Sequence, residues 1–206
     1  MEKFEAALRA VEGAFDVVYL LNHARAEKAA EGQNDLARVL TEAGRLEAAA
    51  RSRDPPLSRL PLLRVTSQAS RAKQTLGITT LGMMTYPETL EIVELYPCDQ
   101  GEMFDELFRR HKHAPLATYF EVQGAREELQ KLARRAINGV WRAIAPLRLP
   151  RLEEHTLVIA GHDLVNRAIA LELAEARVLD TQMLIESEIG VGHAMAVARD
   201  RVEWYR

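Results

Sequence analysis

The sequence predicts an α/β fold, a three-layer sandwich in which helices cover both faces of a mostly parallel central sheet. Short, uninterrupted apolar runs at 17–21 and 156–160 are typical of strands buried on both faces of a parallel sheet. An amphipathic pattern of helical period spans 124–144. Strands that alternate with such helices form sheets covered on both sides. The length of 206 residues, 48% of them apolar, predicts one domain over 1–206.

The first half of the chain alternates helical and extended patterns. Thr41 is placed to cap a helix, and Pro55 and Pro56 follow its end. Ser67 or Ser70 is expected to cap the next helix. The predicted elements are a helix at 2–12, a strand at 17–21, a polar loop at 25–34, a helix at 41–51, a strand at 62–66, a helix at 71–81 and a strand at 90–95.

The second half begins with helical patterns and ends with short extended segments. Pro146 and Pro150 end the long amphipathic helix. The predicted elements are helices at 102–111 and 124–144, a strand at 156–160, a helix to about residue 175, and a closing hairpin or edge strands at 188–197 and 201–204.

Composition excludes several classes of function. The net charge of −3 gives no electrostatic reason to expect nucleic acid or an anionic membrane as partner. Cys98 is the one cysteine, so the chain has neither a disulfide framework nor a cysteine-based zinc site. No apolar run approaches the ~18 residues of a membrane span, and the N-terminus lacks a signal-peptide pattern. We therefore expect a cytoplasmic protein without a metal or other cofactor.

Two of the apolar strands end in a histidine. Asn22-His23 follows the first strand, and Gly161-His162 follows the strand at 156–160. Ligands of open α/β sheets bind at the carboxyl ends of the strands, so both histidines are expected at a site. Arg71 opens a helix, where free N–H groups favour an anion. This combination suits a phosphoryl group, with histidine as a covalent nucleophile.

Each of these residues also has a structural interpretation. His23 or His162 alone is most simply a hydrogen-bonded histidine at a strand end, and Arg71 alone a surface residue. The joint pattern of two apolar strands, each ending in histidine, favours a functional site.

Other candidate motifs are weaker. The spacing of His111 and His113 could suit a metal, but no acidic or cysteine partner lies nearby, and we interpret 111–113 as a solvated loop. Gly190-Val191-Gly192 lacks the strand–turn–helix setting of a dinucleotide-binding loop.

Four segments carry a resemblance to a known family, in the family's order. They are YLLNHA at 19–24, RVLTEAGR at 38–45, TSQASRAKQT at 66–75 and GHDLVNRA at 161–168. In these features the chain resembles the histidine phosphatase superfamily, the phosphoglycerate mutase-like proteins. The resemblance implies their fold, with His23 as nucleophile and with Arg71 and His162 on the phosphoryl group.

Three positions depart from the family pattern, namely Asn22, Ala24 and Pro97. Asn22 stands in place of the arginine that precedes the nucleophile, which removes a charge and a bidentate donor. Ala24 replaces a glycine, which predicts strain if that position needs positive φ or a close approach of the backbone. Asn22 remains a candidate phosphate ligand, and Arg25 or Arg38 could supply the lost charge.

Pro97 occupies the position of the family's proton-donating glutamate. Asp99, Asp163 or Glu94 could replace that acid, because a donor need only reach the leaving oxygen. Asp163 directly follows His162, and a distant branch of the superfamily uses such a His-Asp pair.

The expected function is hydrolysis of a phosphomonoester or phosphoramidate through a phosphohistidine on His23. The alternative is a catalytically impaired pseudo-phosphatase that binds a phosphorylated ligand or protein, because the departures concern the chemistry rather than the scaffold. The partner is expected to be a small phosphorylated substrate or a phosphoprotein. A homodimer is possible through the aliphatic segment 179–189.

Overall fold

The computed structural model describes residues 2–58, 61–96, 102–147 and 155–206. Pro97, Cys98 and Asp99 lie outside this part of the chain.

Six strands and eight α-helices form the described structure. The strands are β1 Val17–Asn22, β2 Leu62–Thr66, β3 Thr85–Glu91, β4 Thr156–Gly161, β5 Ala194–Ala198 and β6 Val202–Tyr205. The helices are α1 Glu2–Ala14, α2 Glu42–Arg51, α3 Ser70–Thr79, α4 Glu102–His111, α5 Leu116–Phe120, α6 Ala125–Ile144, α7 Asp163–Ala176 and α8 Gln182–Glu186.

The strands form one mixed sheet in the order β3-β2-β4-β1-β5-β6. The four strands from β3 to β1 are parallel, while β5 and β6 are antiparallel to their neighbours. The predicted α/β fold with a mostly parallel sheet is therefore confirmed, and the predicted closing hairpin is β5 and β6.

Side chains of the central strands alternate between two apolar layers. Val18 and Leu20 of β1 belong to the core under α1, α6 and α7, whereas Tyr19 and Leu21 belong to the core on the opposite face. Leu76 of α3 packs in that second core. Helices thus cover both faces, as the continuous apolar run of β1 predicts.

The local sequence predicts the N-cap of α2 correctly but not the N-cap of α3. Thr41 caps α2 as predicted, since its Oγ1 accepts a hydrogen bond from Gly44 N at 3.0 Å. The predicted cap of α3 is wrong, because Ala69 occupies that position without a side-chain bond. The hydroxyl of Ser67 instead contacts His162, and Ser70 is the first helical residue.

The predicted strand at 90–95 is wrong in its position. β3 ends at Glu91, and Val93–Leu95 form a 3-10 turn. Leu90 and Glu91 pair with the end of β2, so the extended segment lies earlier in the chain. The apolar alternation of 90–95 could not show where pairing with β2 stops.

The aliphatic segment 179–189 packs mainly onto its own chain. Leu184 and Ile189 are fully buried in the core under α6 and α7. Val178 and Met183 are the exposed apolar side chains of this region. The homodimer remains a prediction, and the buried aliphatic residues do not contribute to its surface. Within the described residues, no helix has both the length and the apolar character that crossing a bilayer requires.

Candidate active site

The parallel register of β1 and β4 brings the two histidines together. Asn22 pairs with Gly161 at the ends of the strands, and His23 N donates to Gly161 O at 3.0 Å. The imidazole rings of His23 and His162 lie with their centroids 5.0 Å apart. The sequence predicted that both would reach one edge, and the structure places them in one cavity of about 440 Å³ with Arg71.

The hydrogen bond of His23 fixes which nitrogen carries its proton. Nδ1 lies 2.9 Å from the carbonyl oxygen of Ala24. A carbonyl oxygen only accepts, so Nδ1 carries the hydrogen and Nε2 has the free lone pair. Burial lowers the pKa of His23 to about 4, which keeps the ring neutral. The ring is therefore in the form that a nucleophile needs.

His162 lies between His23 and the ring of Tyr96. Its Nε2 is 3.2 Å from the hydroxyl of Ser67, and the ring of Tyr96 meets it edge-on at 4.8 Å. Burial, followed by the nearby His23 and Arg71, lowers its pKa well below the usual value. His162 is thus a neutral group that can exchange hydrogen bonds but adds no charge to the cavity.

Two arginines in the cavity bind a carboxylate of the same chain. Arg71 donates from Nη1 to the backbone oxygen of Asp35 at 2.6 Å and from Nη2 to Oδ2 at 2.7 Å. Arg38 donates from Nη1 to Oδ1 of Asp35 at 2.8 Å, and the hydroxyl of Tyr96 donates to Oδ2. These donors hold the pKa of Asp35 below its ordinary value, although partial burial opposes them. Sequence reasoning did not single out Asp35.

Asn22 lines the cavity, but its side chain is held by neighbours. Its Oδ1 accepts from Asn166 Nδ2 at 2.8 Å, and its Nδ2 donates to Gly190 O at 3.3 Å. Because both ends of the amide are used, Asn22 supports the strand ends rather than adding an open donor pair. Its predicted role in binding phosphate remains a prediction.

Ala24 and Arg25 differ from expectation. Ala24 does not have a positive φ, so the strain predicted for that conformation is absent, and its N–H donates to Thr75 Oγ1 at 3.0 Å. Arg25 is exposed and pairs with Glu47 at 3.1 Å. Arg25 does not line the cavity, so Arg38 is the candidate that could compensate for the missing arginine.

Asp163 is at the start of α7 and is held by a buried arginine. Arg167, fully buried, places Nε 2.8 Å from Oδ1 of Asp163 and Nη2 3.2 Å from Oδ2. His113 Nδ1 lies 2.7 Å from Oδ2. His113 lines the cavity, so its interpretation as part of a merely solvated loop is wrong. Because His113 and Asp163 are 50 residues apart, no local sequence pattern could indicate that they are in contact.

Glu94, another of the proposed acids, does not line the cavity. Glu94 pairs with Arg142 on the outer side of α6, and Asp99 is outside the described residues. In the part of the chain with described side chains, no three histidine, cysteine or acidic residues form a group that could hold a metal ion.

Comparison with known proteins reveals similarity at the level of structure. No family model matches the sequence, and no curated protein matches it. A solved structure titled mycobacterial hydrolase 2 is 19% identical with a TM-score of 0.56, covering 92% of this chain and 88% of that one. The mycobacterial glucosyl-3-phosphoglycerate phosphatase is 18% identical with a TM-score of 0.52, covering 92% and 96%.

A phosphoserine phosphatase from Entamoeba histolytica, a mutant in complex with phosphoserine, also has a TM-score of 0.52. It is 14% identical and covers 87% of this chain and 89% of its own. The chain shares the α/β fold of these solved structures. The fold predicted from the four sequence segments is confirmed, and the chemistry must be argued from the chain's own residues.

Proposed function

We propose that the chain hydrolyses a phosphomonoester or phosphoramidate through a phosphohistidine on His23. The observation that supports this most directly is the hydrogen bond from His23 Nδ1 to the Ala24 carbonyl. It leaves Nε2 as a neutral nucleophile in a cavity that also contains Arg71 and His162. That a fold shared with phosphatases carries these residues at the carboxyl edge of its sheet adds support.

The reaction has two steps. In the first, the lone pair of His23 Nε2 attacks phosphorus, the bond to the leaving oxygen or nitrogen breaks, and the leaving atom takes up a proton. In the second, water attacks phosphorus, the P–N bond breaks, and His23 and inorganic phosphate are released. Arg71 stabilises the charge on the phosphoryl oxygens, and His162 contributes a hydrogen bond.

A phosphoryl group must compete with Asp35 for the guanidinium groups of Arg71 and Arg38. Arg71 and Arg38 both bind this carboxylate, whose side chain is 44% exposed at the rim of the cavity. The phosphoryl oxygens would replace the carboxylate oxygens on the same guanidinium groups, since both present oxygen acceptors to a planar fork. The exposure of Asp35 lets its carboxylate return to water as the ligand enters.

The test is turnover of p-nitrophenyl phosphate by the wild type, His23→Ala and His111→Gln. His111 lies outside the cavity and controls for the loss of a histidine. We expect phosphate release by wild type and His111→Gln, and a loss of at least ~10³-fold in His23→Ala, because the proposed nucleophile is removed. An acid-labile phosphoryl group should be trapped on His23 in denatured wild-type samples.

The alternative is a protein that binds a phosphorylated ligand without turning it over, and the occupation of both arginines by Asp35 favours it. Binding of inorganic phosphate by calorimetry, together with no turnover of any aryl phosphate, would support that alternative and overturn the hydrolase.

A further inference from the structure

We propose that His113, oriented by Asp163, is the proton donor to the leaving group. This inference rests on the proposed hydrolase function and identifies a residue for a step that the reaction requires. Pro97 cannot donate a proton, so a leaving group that needs one must receive it from another part of the chain.

Among the described side chains that line the cavity, the other titratable groups are unsuited to donate a proton. His113 is therefore the candidate acid. Asp35 stays ionised on its two arginines, and the pKa of His162 is far below its usual value. The hydroxyl proton of Tyr96 is donated to Asp35, and its pKa is raised to about 12 by burial and by that bond. Guanidinium groups do not lose protons in proteins.

Asp163 is itself unsuited to the role that the sequence suggested. Its carboxylate is the counter-ion of Arg167, which is fully buried. Arg167 needs that carboxylate as its partner, because an unpaired buried guanidinium is strongly unfavourable. Asp163 therefore acts as the acceptor that orients His113, which makes it a positioning residue.

The contact with Asp163 sets the tautomer of His113. An ionised carboxylate only accepts, so the hydrogen bond at 2.7 Å places the proton on Nδ1. The second nitrogen, Nε2, is then the one that gains and loses a proton.

The loop that carries His113 is fixed from the same side. Arg167 Nη1 donates to the carbonyl oxygen of Ala114 at 2.6 Å, so one buried side chain holds both Asp163 and the residue next to His113. The hydroxyl of Tyr119 donates to Lys112 O, and Lys112 has a φ of 51°. These bonds hold the backbone on both sides of His113.

The position of His113 suits a group that meets the departing part of a substrate. Its side chain is 42% exposed, whereas Arg71 and His162 are buried deeper in the same cavity. His113 then transfers one proton in each of the two steps. Nε2–H of His113 protonates the leaving atom as the P–O bond breaks. The neutral ring afterwards takes a proton from the attacking water.

The experiment compares His113→Gln with His111→Gln, the matched control two residues earlier, and with Asp99→Asn. Each protein is assayed at one fixed pH with p-nitrophenyl phosphate, phenyl phosphate and an alkyl phosphate. Loss of a general acid costs ~10²–10⁴-fold when the leaving group needs a proton. We expect His113→Gln to lose that much kcat/KM with the alkyl ester and less than about tenfold with the nitrophenyl ester.

Four outcomes contradict the inference. An equal loss with all three esters would make His113 a structural residue, and no loss would exclude it from the step. The leaving-group dependence appearing in Asp99→Asn instead would assign the acid to Asp99. A wild type that turns over no ester, even the nitrophenyl one, would overturn the proposed hydrolase itself and the donor with it.

Discussion

Asp35 changes the electrostatics of the candidate site more than any other single residue. Its carboxylate accepts from Arg71 and Arg38, the two guanidinium groups that line the cavity. A bound carboxylate and a bound phosphoryl group cannot use the same donors at the same time. The free protein therefore presents a weaker anion site than its arginines alone would provide.

Replacing Asp35 with Asn should strengthen binding of inorganic phosphate about five- to tenfold, because ~1–1.4 kcal/mol of competing ion pairing is removed. Calorimetry at fixed ionic strength measures the effect. Asp180→Asn removes the same charge from an exposed residue that does not line the cavity, and it should leave affinity almost unchanged. Equal effects of the two substitutions would reduce the role of Asp35 to its contribution to net charge.

At the scale of secondary structure, α2 and α3 each contain a glycine in a different environment. A Cβ on Gly44 would lie 2.0 Å from the carbonyl oxygen of Arg25, so α2 packs directly on the segment that follows β1. A Cβ on Gly77 of α3 would meet no atom within 4 Å. Gly44 thus permits the close approach of a helix to backbone, whereas Gly77 only adds flexibility to the unfolded chain.

We predict opposite effects of alanine at these two positions. Gly77→Ala should raise the free energy of unfolding by about 0.5–1 kcal/mol, the usual gain in a helix interior. Gly44→Ala should lower it by about 1–3 kcal/mol, because the backbone around Arg25 must move. Urea denaturation of both variants checks this, and a neutral or stabilising Gly44→Ala would show that α2 can shift at no cost.

At the scale of the whole molecule, burial of the histidines links the site to stability. The folded protein lowers the pKa of His23 to about 4, whereas the ordinary value is 6.5. Between these values the unfolded chain binds a proton that the folded chain does not. Stability therefore rises with pH across this interval and is lost as the pH falls through it. His162 contributes in the same direction.

The wild type should lose about 2–3 kcal/mol more unfolding free energy than His23→Gln between pH 7 and pH 4.5, because glutamine does not titrate. Urea denaturation at the two pH values gives the difference. A parallel pH dependence in wild type and His23→Gln would mean that His23 titrates normally in the folded protein.

The sequence by itself determined the sheet and the histidine pair. Apolar runs in β1 and β4 require burial on both faces, and strands of that kind pair in parallel, so residues just after them meet at one edge. His23 and His162 could be predicted for that reason, and Thr41 could be predicted as a cap because capping is local.

Only the tertiary structure decided what surrounds those histidines. Asp35 reaches Arg71 across 36 residues, and His113 reaches Asp163 across 50. Asp35 lies in a single short 3-10 turn and His113 in a loop, and hydrophobic periodicity locates neither. No sequence pattern therefore shows which way their side chains face. Their positions depend on where the folded sheet and α7 place Arg71, Asp163 and the buried Arg167, and that arrangement exists only after the long-range contacts have formed.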